Sequence, residues 1–146
     1  MTGWLVDASV LFELRRASPD SGVASWSDAQ PRESLFLSAA TIAEIRYRTE
    51  RRCTAELHTE IGTWLDRELR PWFAGRVLSL TEDIVLESMR LGDRRRATAG
   101  YIGQSALLLA ATARVHALTV CSRHARAYLD VGVLTFNPWE RASNPR

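Results

Sequence analysis

The chain has 146 residues, of which 46% are apolar and 25% charged, and its formal net charge is +2. This composition is typical of one globular domain and excludes a disordered chain, and no stretch approaches the roughly 20 apolar residues that span a bilayer. The first ten residues lack the basic start and apolar run of a secretory leader, and Cys53 and Cys121 lie outside any CxxC pattern. We therefore expect a cytoplasmic protein with two free thiols.

Short apolar runs alternate with longer helical patterns along the first half of the chain. A break at Ser18–Gly22 separates two helical stretches, and Ser38 suits the N-cap of a helix. The predicted elements are a strand over Trp4–Val6, a helix over Ser9–Arg15, a helix ending near Ala29, a strand over Leu35–Leu37 and a helix carrying Thr41–Glu50.

The same alternation continues through the second half. Apolar residues recurring on one helical face predict a helix over Thr54–Leu69, and Pro71 predicts its end. The acidic residues Glu82 and Asp83 suit the first turn of a helix that begins at Thr81. The remaining predicted elements are strands over Val77–Leu80, Leu118–Cys121 and Val133–Phe136 and a helix over Gly103–Val115.

Strands separated by helices predict an α/β fold, a three-layer α/β/α sandwich with a mainly parallel sheet of about five strands. We expect one domain over residues 1–139 and a loose C-terminal tail over residues 140–146. In such sheets ligands bind beyond the carboxyl ends of the strands, where the strand order switches. The residues that follow the predicted strands there are Asp7, those from Ser38 to Glu44, and those from Ser122 to His124.

Two carboxylates occupy these positions, and each has two interpretations. Asp7 directly follows a strand, where it either caps the next helix or binds a cation. Glu44 lies in an apolar segment, where it either pairs with Arg48 one turn later or serves as a ligand. Together the two carboxylates indicate a site for a hard divalent cation such as Mg²⁺ or Mn²⁺.

Six segments along nearly the whole chain form a specific combination of motifs, among them an Ala-Ala-Thr-Ala helix, a His-x-Leu-Thr strand and a terminal Asn-Pro-Trp. The segments are Leu5–Leu11, Leu37–Glu44, Phe73–Leu78, Leu109–Ala113, His116–Val120 and Phe136–Trp139. On these residues the chain resembles PIN-domain proteins of the VapC/FitB type, which are the toxins of bacterial type II toxin–antitoxin pairs.

The resemblance implies a PIN-like sandwich whose acidic pocket binds Mg²⁺ or Mn²⁺ and cleaves RNA. Asp7 matches the first acidic position of the family, Glu44 matches the second, and Thr41 matches a polar residue that lines the site. The resemblance further implies a homodimer and a cognate antitoxin that covers the pocket. The apolar residues Leu11 and Phe12 and the helical face of residues 54–70, with Trp26 and Trp64, are candidates for a groove or a dimer face.

The two other acidic positions of the family are occupied differently here. The third position is Ala106, and the fourth is His124. Because Mg²⁺ dehydrates reluctantly, halving the number of carboxylates predicts weaker binding of that ion. Gln104 and Ser105 are candidates to supply neutral oxygens, and a nitrogen ligand from His124 would favour Mn²⁺ or Zn²⁺.

All 19 basic residues are arginine. The planar guanidinium group suits phosphate oxygens, and arginines near the pocket are expected to position the RNA backbone. The candidates are Arg46, Arg48, Arg123 and Arg126. Each has the alternative interpretation of a solvated helix surface.

These observations support two functions. The first is a divalent-metal-dependent endoribonuclease toxin with weakened activity, favoured by Asp7, Thr41 and Glu44. The second is a degenerate PIN domain that acts as a dimeric antitoxin- or RNA-binding module, favoured by Ala106 and His124. A phosphatase-like enzyme is disfavoured because the sequence has no DxD pattern at residues 7–9 and no lysine.

Overall fold

Five strands form one parallel sheet at the centre of the computed structural model, which describes residues 3–98 and 103–140. The strands are β1 (Gly3–Val6), β2 (Leu35–Ser38), β3 (Val77–Leu78), β4 (Leu118–Cys121) and β5 (Thr135–Phe136). Their order across the sheet is β3-β2-β1-β4-β5, and every neighbouring pair is parallel. The predicted mainly parallel sheet is therefore confirmed.

Helices connect the strands and cover both faces of the sheet. They are α1 (Ala8–Arg15), α2 (Ser21–Ala29), α3 (Ala39–Arg52), α4 (Ala55–Trp64), α5 (Arg70–Trp72), α6 (Glu82–Thr98) and α7 (Gln104–His116). Short 3₁₀ segments lie at Arg32–Ser34 and Ala125–Val131. None of the helices within residues 3–98 and 103–140 combines the length and the apolarity needed to cross a bilayer.

Polar residues directly before four of the helices cap their first turns. Asp7, Asp20 and Thr54 accept hydrogen bonds from the first backbone N–H groups of α1, α2 and α4. The predicted cap at Ser38 is confirmed, since its hydroxyl accepts from the Ala40 N–H at 3.0 Å. Each of these caps satisfies donors that a helix cannot pair internally, and each is worth about 1 kcal/mol.

Successive residues of β1 point into different cores, as the period of a strand requires. Val6 packs with Val10 and Leu37 in the core beneath α1 to α4. Leu5 packs in the second core, with Ile84 of α6 and Leu109 of α7. A sheet with an apolar core on each face is the three-layer α/β/α sandwich expected from the sequence.

Three predicted boundaries are wrong. The helical segment does not stop before Pro71, because a π-helical turn at Leu65–Leu69 precedes it and the chain stays helical to Trp72. In that turn the Arg70 N–H bonds to the Leu65 carbonyl, so the backbone widens just before a residue that has no N–H of its own. The two edge strands are also shorter than predicted, and Leu134, outside β5, is 74% exposed.

The strand order places a switch point at β1. From β1 the chain crosses to β2 on one side, while β4 returns to its other side. Asp7 follows β1 directly, so the first candidate carboxylate lies where the α/β topology opens a crevice. The predicted end of the domain at residue 139 stays a prediction, and of the predicted tail only Glu140 lies within the described residues.

Candidate functional site

The carboxylate of Asp7 is buried and held in one orientation. Its Oδ1 accepts from the N–H groups of Ser9 and Val10 at 3.0 and 3.4 Å and from the Ser9 hydroxyl. Its Oδ2 accepts from the hydroxyl of Ser122. Asp7 is therefore the N-cap of α1, as one interpretation of the sequence held, and it is 8% exposed.

Two serines tie the turn after β4 to this carboxylate. The Ser122 hydroxyl, which donates to Asp7, accepts from the backbone N–H of His124 at 2.9 Å. The Ser9 hydroxyl accepts from the backbone N–H of Arg123 at 3.0 Å. Neither serine was predicted to be a site residue. Their positions two residues after Asp7 and directly after β4 are the signal that was available.

The carboxylate of Glu44 lies one turn into α3 and is 21% exposed. One of its oxygens forms an ion pair with Arg48 at 2.7 Å, so the i,i+4 interpretation of the sequence also describes the structure. Glu44 lines a cavity of about 870 Å³ together with Gln104 and Ser105 at the start of α7. The two candidate neutral oxygen donors thus share a cavity with the second carboxylate.

Tyr128 is a buried tyrosine whose phenol is influenced by the charges of both carboxylates. Tyr128 lies in the 3₁₀ segment after β4 and is 6% exposed. Burial raises the pKa of its phenol, and the negative charges of Asp7 and then Glu44 raise it further. Asp7 directly follows β1, and Glu44 lies in the second turn of α3, the helix that follows the neighbouring strand β2.

Ala106 and His124, which replace the two other acidic residues of the family, lie in different surroundings. Ala106 is half-buried on α7 and packs against the core that contains Tyr128. His124 is exposed and lines a different depression, of about 290 Å³, with Arg123 and Arg126. Within residues 3–98 and 103–140, no three His, Cys, Asp or Glu side chains cluster closely enough to hold a metal ion.

The remaining sequence candidates are distributed over several surfaces. Thr41 is buried one turn before Glu44. Arg46 points away from the cavity and pairs with Asp66 at 2.6 Å. Arg123 lies over the ring of Trp139, with 4.4 Å between the guanidinium carbon and the ring centre. Of the four candidate arginines, Arg48 alone is among the residues that line the cavity with Glu44.

Three further residues of α3 line that cavity and were not among the sequence candidates: Tyr47, Arg51 and Arg52. The signal that would have found them is helical spacing. Tyr47 and Arg51 follow Glu44 by three and seven residues, which places them on the same face of the helix. From this helix only Arg46 and Arg48 were predicted to contact RNA, and they lie on different faces.

The environment of Cys121 gives a direct test of this geometry. Cys121 ends β4 and is fully buried, and burial together with the charge of Asp7 raises the pKa of its thiol. Cys53 is partly exposed. Since the thiolate is the reactive form, we expect a disulfide reagent at pH 8 to modify one thiol of the native chain and both after unfolding in guanidinium chloride. Two reactive thiols in the native protein would contradict the buried position of Cys121.

Comparison with known proteins agrees with this architecture. The sequence model of the PIN domain matches residues 4–130, so the chain belongs to the PIN-domain family. The VapC ribonuclease Y4jK of Sinorhizobium fredii is 34% identical over 138 residues, which are 94% of this chain and 99% of the relative. Toxin FitB of Neisseria gonorrhoeae is 30% identical over 135 residues, 92% of this chain and 97% of that protein.

A solved structure supports the same assignment. The crystal structure of FitAcB from Neisseria gonorrhoeae has a TM-score of 0.83 to this chain at 29% identity, and the match covers 94% of this chain and 99% of that one. These relatives place the chain among the VapC/FitB-type toxins of the family. Both the resemblance drawn from the six sequence segments and the PIN-like sandwich are confirmed.

Proposed function

We propose that the chain is the toxin of a type II toxin–antitoxin pair and cleaves RNA phosphodiester bonds with the help of a divalent cation. The observation that carries this proposal is the pair of carboxylates, Asp7 at the switch point of the sheet and Glu44 on the helix that follows the neighbouring strand β2. A relative that matches almost the whole chain is named a ribonuclease. The free thiols at Cys53 and Cys121 suit a reducing cytoplasm, where we place the activity.

The residues present fit one Mg²⁺ or Mn²⁺ ion. Two oxygens of a carboxylate offer about four lone pairs, and the Oδ2 of Asp7 keeps one after accepting from Ser122. Glu44 has an oxygen outside its Arg48 pair, and Gln104 and Ser105 add neutral oxygens along the cavity. Oxygen donors of this kind are what both cations prefer. With two carboxylates in place of four, we expect the ion to bind weakly.

The bound cation would lower the pKa of a water molecule and neutralise phosphate charge. The side chains of this chain provide the orientation. Because four hydrogen bonds fix the Asp7 carboxylate, it needs no rearrangement when the site fills, which is the preorganisation that catalysis requires. The guanidinium group of Arg48 pairs with Glu44, and it can exchange this partner for a phosphate oxygen of the RNA. Thr41 is buried one turn before Glu44 on α3.

An apolar groove on the opposite core supports the antitoxin as a partner. It has a volume of about 480 Å³ and lies among α1, α2 and the helical segment of residues 55–73. The groove is lined by three tryptophans, Trp26, Trp64 and Trp72. The charged residues Arg15 and Glu68 also line it. A groove of this kind suits the apolar face of an amphipathic helix. The predicted groove at Trp26 and Trp64 is therefore where we place the antitoxin.

Exposed apolar side chains on α6 support the proposed homodimer. Val85, Leu86 and Met89 are exposed on neighbouring turns, and Leu80 is exposed just before the helix. An apolar stripe on a helix surface that faces water in the single chain is typical of an interface between copies.

The test of this function is RNA cleavage titrated with Mn²⁺ and Mg²⁺. We expect the Glu44→Gln protein to lose about 100-fold or more of the rate, because even groups that only orient metal ligands are worth about 10–100-fold. The matched control is Glu50→Gln, which removes a carboxylate from the exposed surface of the same helix, outside the cavity. It should cleave at the wild-type rate.

Three results would count against the proposal. Cleavage that persists without added metal, or that is equal in the two variants, would mean a contaminant or a different site. An intact wild-type protein that binds RNA or an antitoxin and cleaves nothing at any metal concentration would favour the degenerate binding module, which the residues Ala106 and His124 make the second candidate.

A further inference from the structure

One face of α3 carries a group of side chains that extends beyond Glu44 towards the end of the helix. It consists of Tyr47, Arg48, Arg51 and Arg52, and we call it the α3 arginine face. These four residues form one wall of the cavity of about 870 Å³ that contains Glu44. The opposite wall comes from the start of α7, with Gln104 and Ser105. The cavity therefore extends from the second carboxylate along α3 towards its C-terminus.

The charge of this face is only partly balanced by the protein. Arg48 pairs with Glu44, and Arg51 donates to the hydroxyl of Tyr47 at 2.8 Å. Within the described ranges, no carboxylate lies within ion-pair distance of Arg51 or Arg52. Both arginines are exposed. Two planar guanidinium groups that lack anionic partners inside a cavity indicate an anionic ligand, and their fork geometry suits phosphate.

The aromatic ring of Tyr47 identifies the kind of phosphate ligand. The side chain of Tyr47 is 57% exposed, although it is large and partly apolar, and the Arg51 guanidinium lies 5.6 Å from its ring centre. Aromatic rings beside arginines on an open groove are the arrangement that binds single-stranded nucleic acid, because unpaired bases stack on the ring while phosphates meet the cations. A free phosphate or a nucleotide-free polyanion would make no use of the ring.

We propose that the α3 arginine face binds the single strand of RNA next to the cleaved bond, with phosphates on Arg51 and Arg52 and a base on Tyr47. This inference rests on the proposed ribonuclease function and names the substrate as unpaired RNA. Arg51 follows Glu44 by seven residues, roughly 10 Å along the helix. That distance puts the Arg51 contact a few nucleotides from the Glu44 carboxylate.

The test is binding of a fluorescein-labelled, single-stranded 12-nucleotide RNA, followed by anisotropy. The full chain with Asp7→Asn is used so that the probe is not cut. In that background Arg51→Gln and Arg52→Gln should each weaken binding about fivefold or more. Each should also flatten the slope of log K against log salt by about 0.7, the contribution of one phosphate contact on a single strand. The matched control is Arg46→Gln, on the same helix but paired with Asp66, which should bind as the parent does.

The tyrosine gives an independent arm of the same experiment. Tyr47→Ala should weaken binding about fivefold or more without changing the salt slope, whereas Tyr47→Phe, which keeps the ring, should bind within about twofold of the parent. A 12-base-pair RNA duplex should bind the parent protein more weakly than the single strand, because its bases are not free to stack.

The outcomes separate this inference from the proposed function. If wild type cleaves RNA with metal but Arg51→Gln and Arg52→Gln bind RNA as Arg46→Gln does in the Asp7→Asn background, the inference is overturned and the function stands. If the two variants lose binding while wild type cleaves nothing, the RNA-binding face is supported and the proposed chemistry fails. A duplex that binds as tightly as the single strand would overturn the inference as well.

Discussion

The Asp7→Asn protein is expected to fold with almost wild-type stability and to lose metal-dependent RNA cleavage by about 100-fold or more. Asparagine is as good an N-cap as aspartate, so its oxygen can keep the bonds to the N–H groups of Ser9 and Val10. What the substitution removes is the negative charge and one ligand oxygen. A loss of activity without a loss of stability would therefore belong to the charge of Asp7 and not to its place in the fold.

The Ser122 hydroxyl decides how well asparagine is tolerated. In the native chain this hydroxyl donates to Oδ2 of Asp7 and accepts from the His124 N–H. When an amide nitrogen replaces Oδ2, that hydroxyl loses its acceptor. We expect this single lost hydrogen bond to lower the free energy of unfolding by about 1 kcal/mol.

The comparison variant Asp7→Ala removes the cap as well as the charge. We expect it to be destabilised by about 2–4 kcal/mol, from the lost N-cap and from the unpaired Ser122 hydroxyl. The measurements are urea unfolding and RNA cleavage with Mn²⁺, carried out on both variants. An Asp7→Asn protein that cleaves like wild type would contradict the role of Asp7 as a ligand, and equal stability of the alanine variant would contradict its role as a cap.

The sheet was predictable because its signals are local and repeated. β1 and β2 are short apolar runs that lead into a polar residue capping a helix, Asp7 and Ser38, and parallel strands place such residues at one edge. The errors lie where neighbours decide the outcome. The edge strands β3 and β5 pair on one side alone, so their lengths depend on the partner strand. Pro71 stays in a helical segment because the preceding π turn accommodates it.

The candidate site was predictable to the extent that strand ends define it. Asp7 follows the carboxyl end of β1, and Glu44 lies on α3, the helix that follows β2, as chain order predicts; their shared role as ligands stays a prediction. The residues that we propose to contact RNA were harder to predict from the sequence, because the cavity has a second wall from α7, which is far away along the chain. Helix geometry nevertheless separates two neighbouring candidates: Arg46 and Arg48 differ by about 200° around α3, and they indeed face Asp66 and Glu44 respectively.

Restoring an acid at the third position is expected to strengthen the metal site. Ala106 is half-buried in the first turn of α7, next to Ser105 of the cavity wall, and packs against the core that holds Tyr128. The Ala106→Asp side chain would add a third carboxylate to those of Asp7 and Glu44. A helix N-terminus also favours an acidic residue by about 0.3–1 kcal/mol, which offsets part of the repulsion between the carboxylates.

The expected size of the effect is a gain in Mn²⁺ affinity of about tenfold or more, which corresponds to about 1.4 kcal/mol. A ligand that binds only the folded state raises the free energy of unfolding, and it does so more when its affinity is higher. Saturating Mn²⁺ should therefore raise the Tm of Ala106→Asp about 4 °C further than it raises that of wild type. The thermal shift measures binding without relying on cleavage.

Ala106→Asn is the matched control, since it has the shape of aspartate without the charge. If it gained as much as Ala106→Asp, the effect would come from packing or from an amide ligand. If neither variant gained, the position of Ala106 relative to Asp7 and Glu44 would be wrong for a shared ion. A gain confined to the aspartate would mean that this chain keeps the geometry of the acidic pocket and lacks only the charge, so that the loss of the two acids has weakened the site without dismantling it.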